Sequence, residues 1–207
     1  MPGFVAAMHR HMRSLRRMQR DHGWIDPLLE EALNERMHLL IFMQHCEPTL
    51  VERVFVLVAQ ATYVLFYSTA YWISPATAHR AVGYLEEAAQ RAYNELLHSI
   101  DVGEIPNPAL PEKSIAAKFY RLPPGSHFRD VVLHVRADEL YHNLYNHALA
   151  NQARRSGGLD EAPVSVEEDI ARYDRAVGGP LAAAAAAGRP PNKPDSTFDH
   201  GHASNKI

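Results

Sequence analysis

Two stretches decide the fold: NERMHLLIF, Asn34–Phe42, and VRADELYHNLYNH, Val135–His147. Each contains Glu-x-x-His, as Glu35 with His38 and as Glu139 with His142. Residues three apart share one face of a helix. The first pair is embedded in an apolar stripe of Ile25, Leu28, Ala32, Leu39 and Phe42, with Glu35 on it. The second continues the stripe of Val132, Val135, Asn146 and Leu149. Both patterns have helical periodicity, so both pairs face the interior. Buried charges must be paired or coordinate a metal.

Helices that turn Glu-x-x-His pairs inward, with single glutamates on two others, carry the ligand set of di-iron and di-manganese carboxylate bundles. Carboxylate oxygens and imidazole nitrogens suit iron or manganese. The competing reading is solvated surface charge plus satisfied core histidines. A third Glu-x-x-His, Glu95 with His98, tests the pattern. On its helix His79, Glu86 and Tyr93 recur at heptad spacing, and Glu95 lies on the opposite side from Glu86. Glu86 is therefore read as inward, and Glu95 with His98 as a solvated pair.

Working outward, the periodicity predicts an all-α chain. The reading gives an N-terminal helix, helices near 24–46 and 49–73, a fourth near 76–100, a short segment near 116–121 and a last long helix near 128–152. The basic N-terminus, with no acidic residue before Asp21, has the composition of a mitochondrial transit peptide. The favoured reading is a helix of the domain with Val5, Met8, Met12 and Leu15 on one stripe. Val54–Ile73 has no formal charge and about 20 such residues suffice to span a bilayer. It reads as a transmembrane, buried central or interfacial helix. The mean hydropathy of −0.28 excludes a polytopic membrane protein.

The 207 residues make one substantial domain or two small ones, and the hydrophobic share of 46% provides for a packed core. A net charge of −3 speaks against nucleic acid as a partner. One cysteine, Cys46, excludes an intrachain disulfide and a cysteine-rich zinc site. The domain is assigned to residues 1–155 and a low-complexity, mostly disordered tail to 156–207. That tail holds a Ser165-x-x-Glu168 capping box, an alanine run and His200 with His202.

The wording of four stretches is more specific than spacing. NERMHLL, HRAVGYLEEAA, FYRLP and VRADELYH resemble the alternative oxidases, with gapless agreement through SLRRMQRDHGWIDPLLEEALNERMHLL and a span from Pro2 to Asn151. The resemblance implies a ferritin-like four-helix bundle with two iron ions. It would lie as an interfacial, monotopic protein on one leaflet of the mitochondrial inner membrane, on the matrix side, as a homodimer. It implies reduction of O2 to water by ubiquinol without proton pumping. Carried over, Glu35 and Glu139 bridge the irons, and Glu86, His38 and His142 complete the ligands this chain supplies. Tyr93 takes part in electron transfer, and Asn34, His79 and Asp138 orient the ligands.

The family's Leu-Glu-Thr triplet, a few residues before a Pro-Gly pair, has no counterpart before Pro2-Gly3. The chain thus reads as an N-terminally truncated oxidase, one carboxylate short. Ala88 replaces a third glutamate after Leu85, and Lys118, Phe119 and Tyr120 stand where the family has Asp-Tyr-Trp. The rival functional reading is a catalytically inactive homologue that binds only membrane or a partner. Another ferritin-like protein, an iron store or hydroxylase, is the third.

Overall fold

The computed structural model describes residues 1–166. Among them are six α-helices: α1 (Pro2–Arg17), α2 (Ile25–Cys46), α3 (Leu50–Ile73), α4 (Pro75–Asp101), α5 (Ile115–Phe119) and α6 (Phe128–Ala153). The only β pairing among the described residues is an isolated bridge between Ala109 and His127. Glu168 of the predicted capping box and the two tail histidines lie outside the described residues.

Local chemistry sets the helix ends. Thr49 caps α3 by accepting from the backbone N–H of Glu52, whose carboxylate accepts from the Thr49 N–H at 2.7 Å. Ser74 stops α3 in extended conformation and caps α4, with Pro75 at the first helical position. α2 ends at Glu47 in left-handed conformation, and Pro48 follows. His127 and Asp130 form the corresponding box at the start of α6.

α4 and α6 form the central pair, with α1 against α2 and α3 against α1 and α4. Two glycines permit close approach. A Cβ on Gly83 of α4 would lie 2.6 Å from the His147 ring of α6. One on Gly3 of α1 would lie 2.5 Å from the Leu28 carbonyl of α2. Val132, Val135, Asn146 and Leu149 of α6 are buried, as their spacing predicts, and Val131 is buried beside them. Fully burying such a side chain contributes roughly 1.5–3 kcal/mol.

Two stripes differ from the sequence reading. On α1 only Val5 of the predicted set is buried; Met8, Met12 and Leu15 are exposed. The interior face instead holds Gly3, Val5, Ala6, Ala7 and Arg10. Arg10 is buried because its guanidinium donates to Asp21 at 2.8 Å and to the Leu159 carbonyl at 3.0 Å, over the Trp24 ring. On α2 the inward face is Leu28, Glu31, Asn34, His38 and Ile41, and Leu39 lies outside.

α3 is the other departure. It is long and apolar enough to cross a membrane, yet only 6% of its most apolar window is buried. The reading of a buried central helix is thereby excluded. Tyr67 and Tyr71 are buried in the core with Tyr63 and Val64 packed against it, while Phe55, Leu57, Leu65, Phe66 and Trp72 point outward. Packing also continues past residue 155. The Trp24 indole donates to the Glu161 carbonyl at 2.8 Å, Gln152 to that of Ala162 at 2.7 Å, and Val166 is buried.

Candidate metal centre

The two Glu-x-x-His pairs meet between α2 and α6. Glu35, Glu86, Glu139 and His142 each place a ligand atom so that all four lie within 4.8 Å of one another. His38 adjoins them, its Nδ1 standing 3.2 Å from Glu139 Oε1 and 3.5 Å from Glu35 Oε1. His142 Nδ1 is 3.1 Å from Glu35 Oε1 and 3.3 Å from Glu139 Oε2. All five predicted ligands therefore come together. Glu86, His38, Glu139 and His142 are buried and Glu35 is half-buried. Glu95 and His98 are exposed, as predicted. Ala88 is exposed on α4, so its departure from the family wording leaves this cluster untouched.

A hydrogen-bonded frame orients these groups. Asp138 Oδ2 accepts from Asn34 Nδ2 at 2.9 Å, His38 Nε2 at 3.1 Å and the Tyr120 hydroxyl at 2.8 Å. With its Nε2–H committed to Asp138, His38 turns Nδ1 toward the carboxylates, the arrangement that fixes metal-binding imidazoles. Asn146 supplies a second frame. Its amide nitrogen donates to Glu31 Oε2 at 2.9 Å and to the His142 carbonyl at 3.0 Å. Its oxygen is then left to accept from His79 Nδ1 at 2.9 Å, so His79 Nε2 accepts from the Tyr71 hydroxyl at 3.3 Å. Burial pushes His79 down to about 4, which keeps this ring neutral.

The electrostatics are those of a site that holds a cation. Burial and the neighbouring charges of Glu139 and Glu35 push Glu86 up to about 9. Burial would depress His38 and His142, but the hydrogen bonds they donate to the surrounding carboxylates outweigh it and raise both well above the usual imidazole range. Burial likewise opposes ionisation of Glu35, and the two imidazoles overcome it, holding the carboxyl below its usual range. For Asp138, too, the His38 and Asn34 hydrogen bonds outweigh burial and lower it. Glu35 Oε1 and His38 Nδ1 are nonetheless buried without a hydrogen-bond partner. A carboxylate oxygen and an imidazole nitrogen that converge unsatisfied fit a divalent cation, because both offer lone pairs to it.

Tyr93 borders the centre from α4, stacked on Phe42 with centroids 5.9 Å apart. Burial and the charges of Glu139, Glu35 and Glu86 keep its hydroxyl protonated by raising it above the usual phenol range. Three participants were not read as such from the sequence. The sequence reading puts Asn146 on the inward stripe without a role, gives Tyr120 only as a departure from the family wording, and leaves Glu31 unmarked. Glu31 is 3% exposed. Its signal was available: Glu31, Glu35, His38 and Phe42 follow a 4-3-4 spacing along α2.

A helical bundle with inward carboxylates and Glu-x-x-His pairs belongs to the di-metal carboxylate class. The alternative oxidase family matches residues 1–151. Similar proteins include the alternative oxidase, mitochondrial, of Emericella nidulans, 45% identical over 168 residues, which cover 80% of this chain and 47% of that protein. The corresponding protein of Venturia inaequalis is 48% identical over 157 residues, 75% of this chain and 44% of the relative. Ubiquinol oxidase 2, mitochondrial, of Nicotiana tabacum is 44% identical over 165 residues, 80% and 55% respectively. The chain belongs to the alternative oxidase family. It spans about half the length of these curated relatives.

Proposed function

We propose that the chain is the metal-binding part of a ubiquinol:oxygen oxidoreductase with two iron ions. Glu35, Glu86, Glu139, His38 and His142 would hold the metal. The observation that carries this is the convergence of unsatisfied Glu35 Oε1 and His38 Nδ1 inside a cluster of buried ligand atoms. Bound iron would supply the one-electron redox chemistry that protein side chains lack. Two ubiquinols give up four electrons and four protons, and one O2 becomes two waters.

The side chains have distinct tasks. Asp138, fixed by Asn34 and Tyr120, holds the His38 Nε2–H and presents Nδ1 to the site. Tyr93 carries a retained proton at its hydroxyl beside the carboxylates, which suits a residue that passes an electron and a proton together. Buried Val131, Val132, Val135 and Leu149 keep bulk water from this part of the bundle. The exposed apolar surface of α3, with Phe4, Met8 and Met12 of α1, would rest in one leaflet and give quinol access from the bilayer. The names of the relatives support a mitochondrial setting; the reading extends to the matrix side of the inner membrane and to a homodimer. The domain would comprise residues 1–155 together with the segment to Val166 that packs on it.

Oxygen uptake by membranes carrying the protein tests the activity. Ubiquinol-driven uptake that persists in cyanide and stops on Glu139→Gln supports the reading. Membranes with folded, iron-loaded protein and no such uptake overturn it.

A further inference from the structure

α3 turns one narrow face inward, and phenols fill it. Tyr63, Tyr67 and Tyr71 recur at a spacing of four along this helix. Their rings form a ladder: Tyr63 stacks on Tyr67 with centroids 5.5 Å apart, and Tyr67 meets Tyr71 at 6.2 Å. Tyr67 and Tyr71 are each 3% exposed. The two ends differ in what surrounds them. Burial, with the charges of Glu86 and Glu31, keeps the Tyr63 and Tyr67 hydroxyls protonated, which sets this end against the carboxylate cluster. Tyr71 lies instead toward Arg10 and Asp21.

A phenol that loses an electron becomes a strong acid, so reversible oxidation needs a base at its hydroxyl. Tyr71 has one: His79 Nε2 accepts from it at 3.3 Å, with the rings 5.3 Å apart. His79 is fully buried and its Nδ1–H is held by Asn146 at 2.9 Å, so Nε2 is the nitrogen that can take the proton. The ladder stops there. Trp24 lies beyond His79 at 6.0 Å, but the Arg10 guanidinium sits 4.7 Å over its ring and opposes the positive charge that oxidation would put on the indole. One O2 takes four electrons and each ubiquinol yields two, so the centre must wait for a second quinol. We infer that Tyr71, reached through Tyr63 and Tyr67, is a reversible one-electron store for the centre, with His79 as its proton acceptor. This rests on the ubiquinol oxidase reading above. One electron passes from Tyr71 along the ladder to the oxidised centre. The O–H bond breaks, the proton moves to His79 Nε2, and a neutral tyrosyl radical is left beside an imidazolium. The next ubiquinol reverses this: one of its electrons refills Tyr71 and the proton returns from His79. The other electron and both quinol protons go to the centre, where oxygen is reduced.

Freeze-quench electron paramagnetic resonance tests this on the full chain, loaded with Fe(II) and mixed with O2 while quinol is withheld. The expected result is a tyrosyl radical that disappears when ubiquinol is added. Tyr71→Phe keeps the ring and removes its O–H, and should cut the radical yield by about tenfold. Tyr67→Phe should slow its appearance severalfold. Fluorotyrosine in place of Tyr71 keeps the hydrogen bond to His79 and should add fluorine splitting to the signal. It serves if the Phe variant does not fold. Tyr93, which also borders the centre, is the rival seat of the radical. An undiminished signal in Tyr71→Phe, or one without fluorine splitting in the labelled protein, overturns the inference and leaves the oxidase reading intact. Consumption of O2 by the iron-loaded chain with no radical does the same. A folded chain that takes up no iron overturns both.

Discussion

The inward face shared by α2 and α6 and the outward face of α3 are opposites of a usual globular protein. The first gathers Glu35, Glu139, His38 and His142 in the interior. The second exposes Phe55, Leu65, Phe66 and Trp72. A core normally excludes charge, and a surface rarely carries so continuous an apolar stretch. On the proposed function a cation balances the interior and an apolar medium covers α3. Polarity alone therefore misjudges which side of these helices is inside.

The comparison breaks most readily at the interior. Glu139→Gln removes the carboxylate that lies between His38 and His142. It should lower metal affinity by about 100-fold or more, read by competition with a chelator. Metal binding that survives this change would show that the polar interior exists for another reason. Next in size is Gly3→Val, whose side chain meets the Leu28 carbonyl rather than a movable side chain. Overpacking of this kind costs about 1–3 kcal/mol, to be read from urea unfolding at fixed metal concentration.

Glu86→Gln sharpens the account by moving two quantities in opposite directions. Burial and neighbouring carboxylates raise Glu86 from its ordinary 4.5 to about 9. The folded metal-free chain therefore holds a proton there that the unfolded chain releases. Its contribution to stability falls as pH rises from about 4.5 to 9. The substitution should stabilise the metal-free protein at pH 8 by about 1–2 kcal/mol, flatten the pH dependence in that window and weaken metal binding. Unfolding curves at pH 5 and pH 8 check the sign. Since His38 and His142 are also raised, metal uptake near neutrality should release protons, measurable by calorimetry in buffers of different ionisation heat.

The smallest effect on stability belongs to the outer face. Phe55→Ser with Phe66→Ser should change unfolding by about 0.5 kcal/mol or less, because both rings are exposed. The same pair should reduce co-sedimentation with phospholipid vesicles severalfold. Undiminished vesicle binding would remove lipid as the explanation of the apolar surface.

Much of this was legible in the residues. Glu-x-x-His spacing locates both inward Glu-His pairs, and heptad spacing separates buried Glu86 from exposed Glu95. The helix ends at Thr49, Ser74 and His127 follow from local capping chemistry. What was not legible depended on tertiary partners. Arg10 is buried because Asp21, Trp24 and the Leu159 carbonyl come together around it, which no local pattern announces. The α1 stripe inverted for that reason, and because small residues such as Gly3, Ala6 and Ala7 gain more from close helix approach than Met8 or Met12 would. Glu31 is not on the predicted α2 stripe, which runs through Ala32 and Leu39, whereas the buried face is Leu28, Glu31, Asn34, His38 and Ile41. The fate of the uncharged α3 required the fold itself, since length and hydropathy are the same for a buried helix and a lipid-facing one.

The most direct measurement is iron bound per chain after anaerobic loading with Fe(II) and removal of excess. The account predicts two irons per folded chain, with loss of iron when Glu139 is changed to Gln. A folded chain that retains no iron, or retains it equally in the variant, would contradict it.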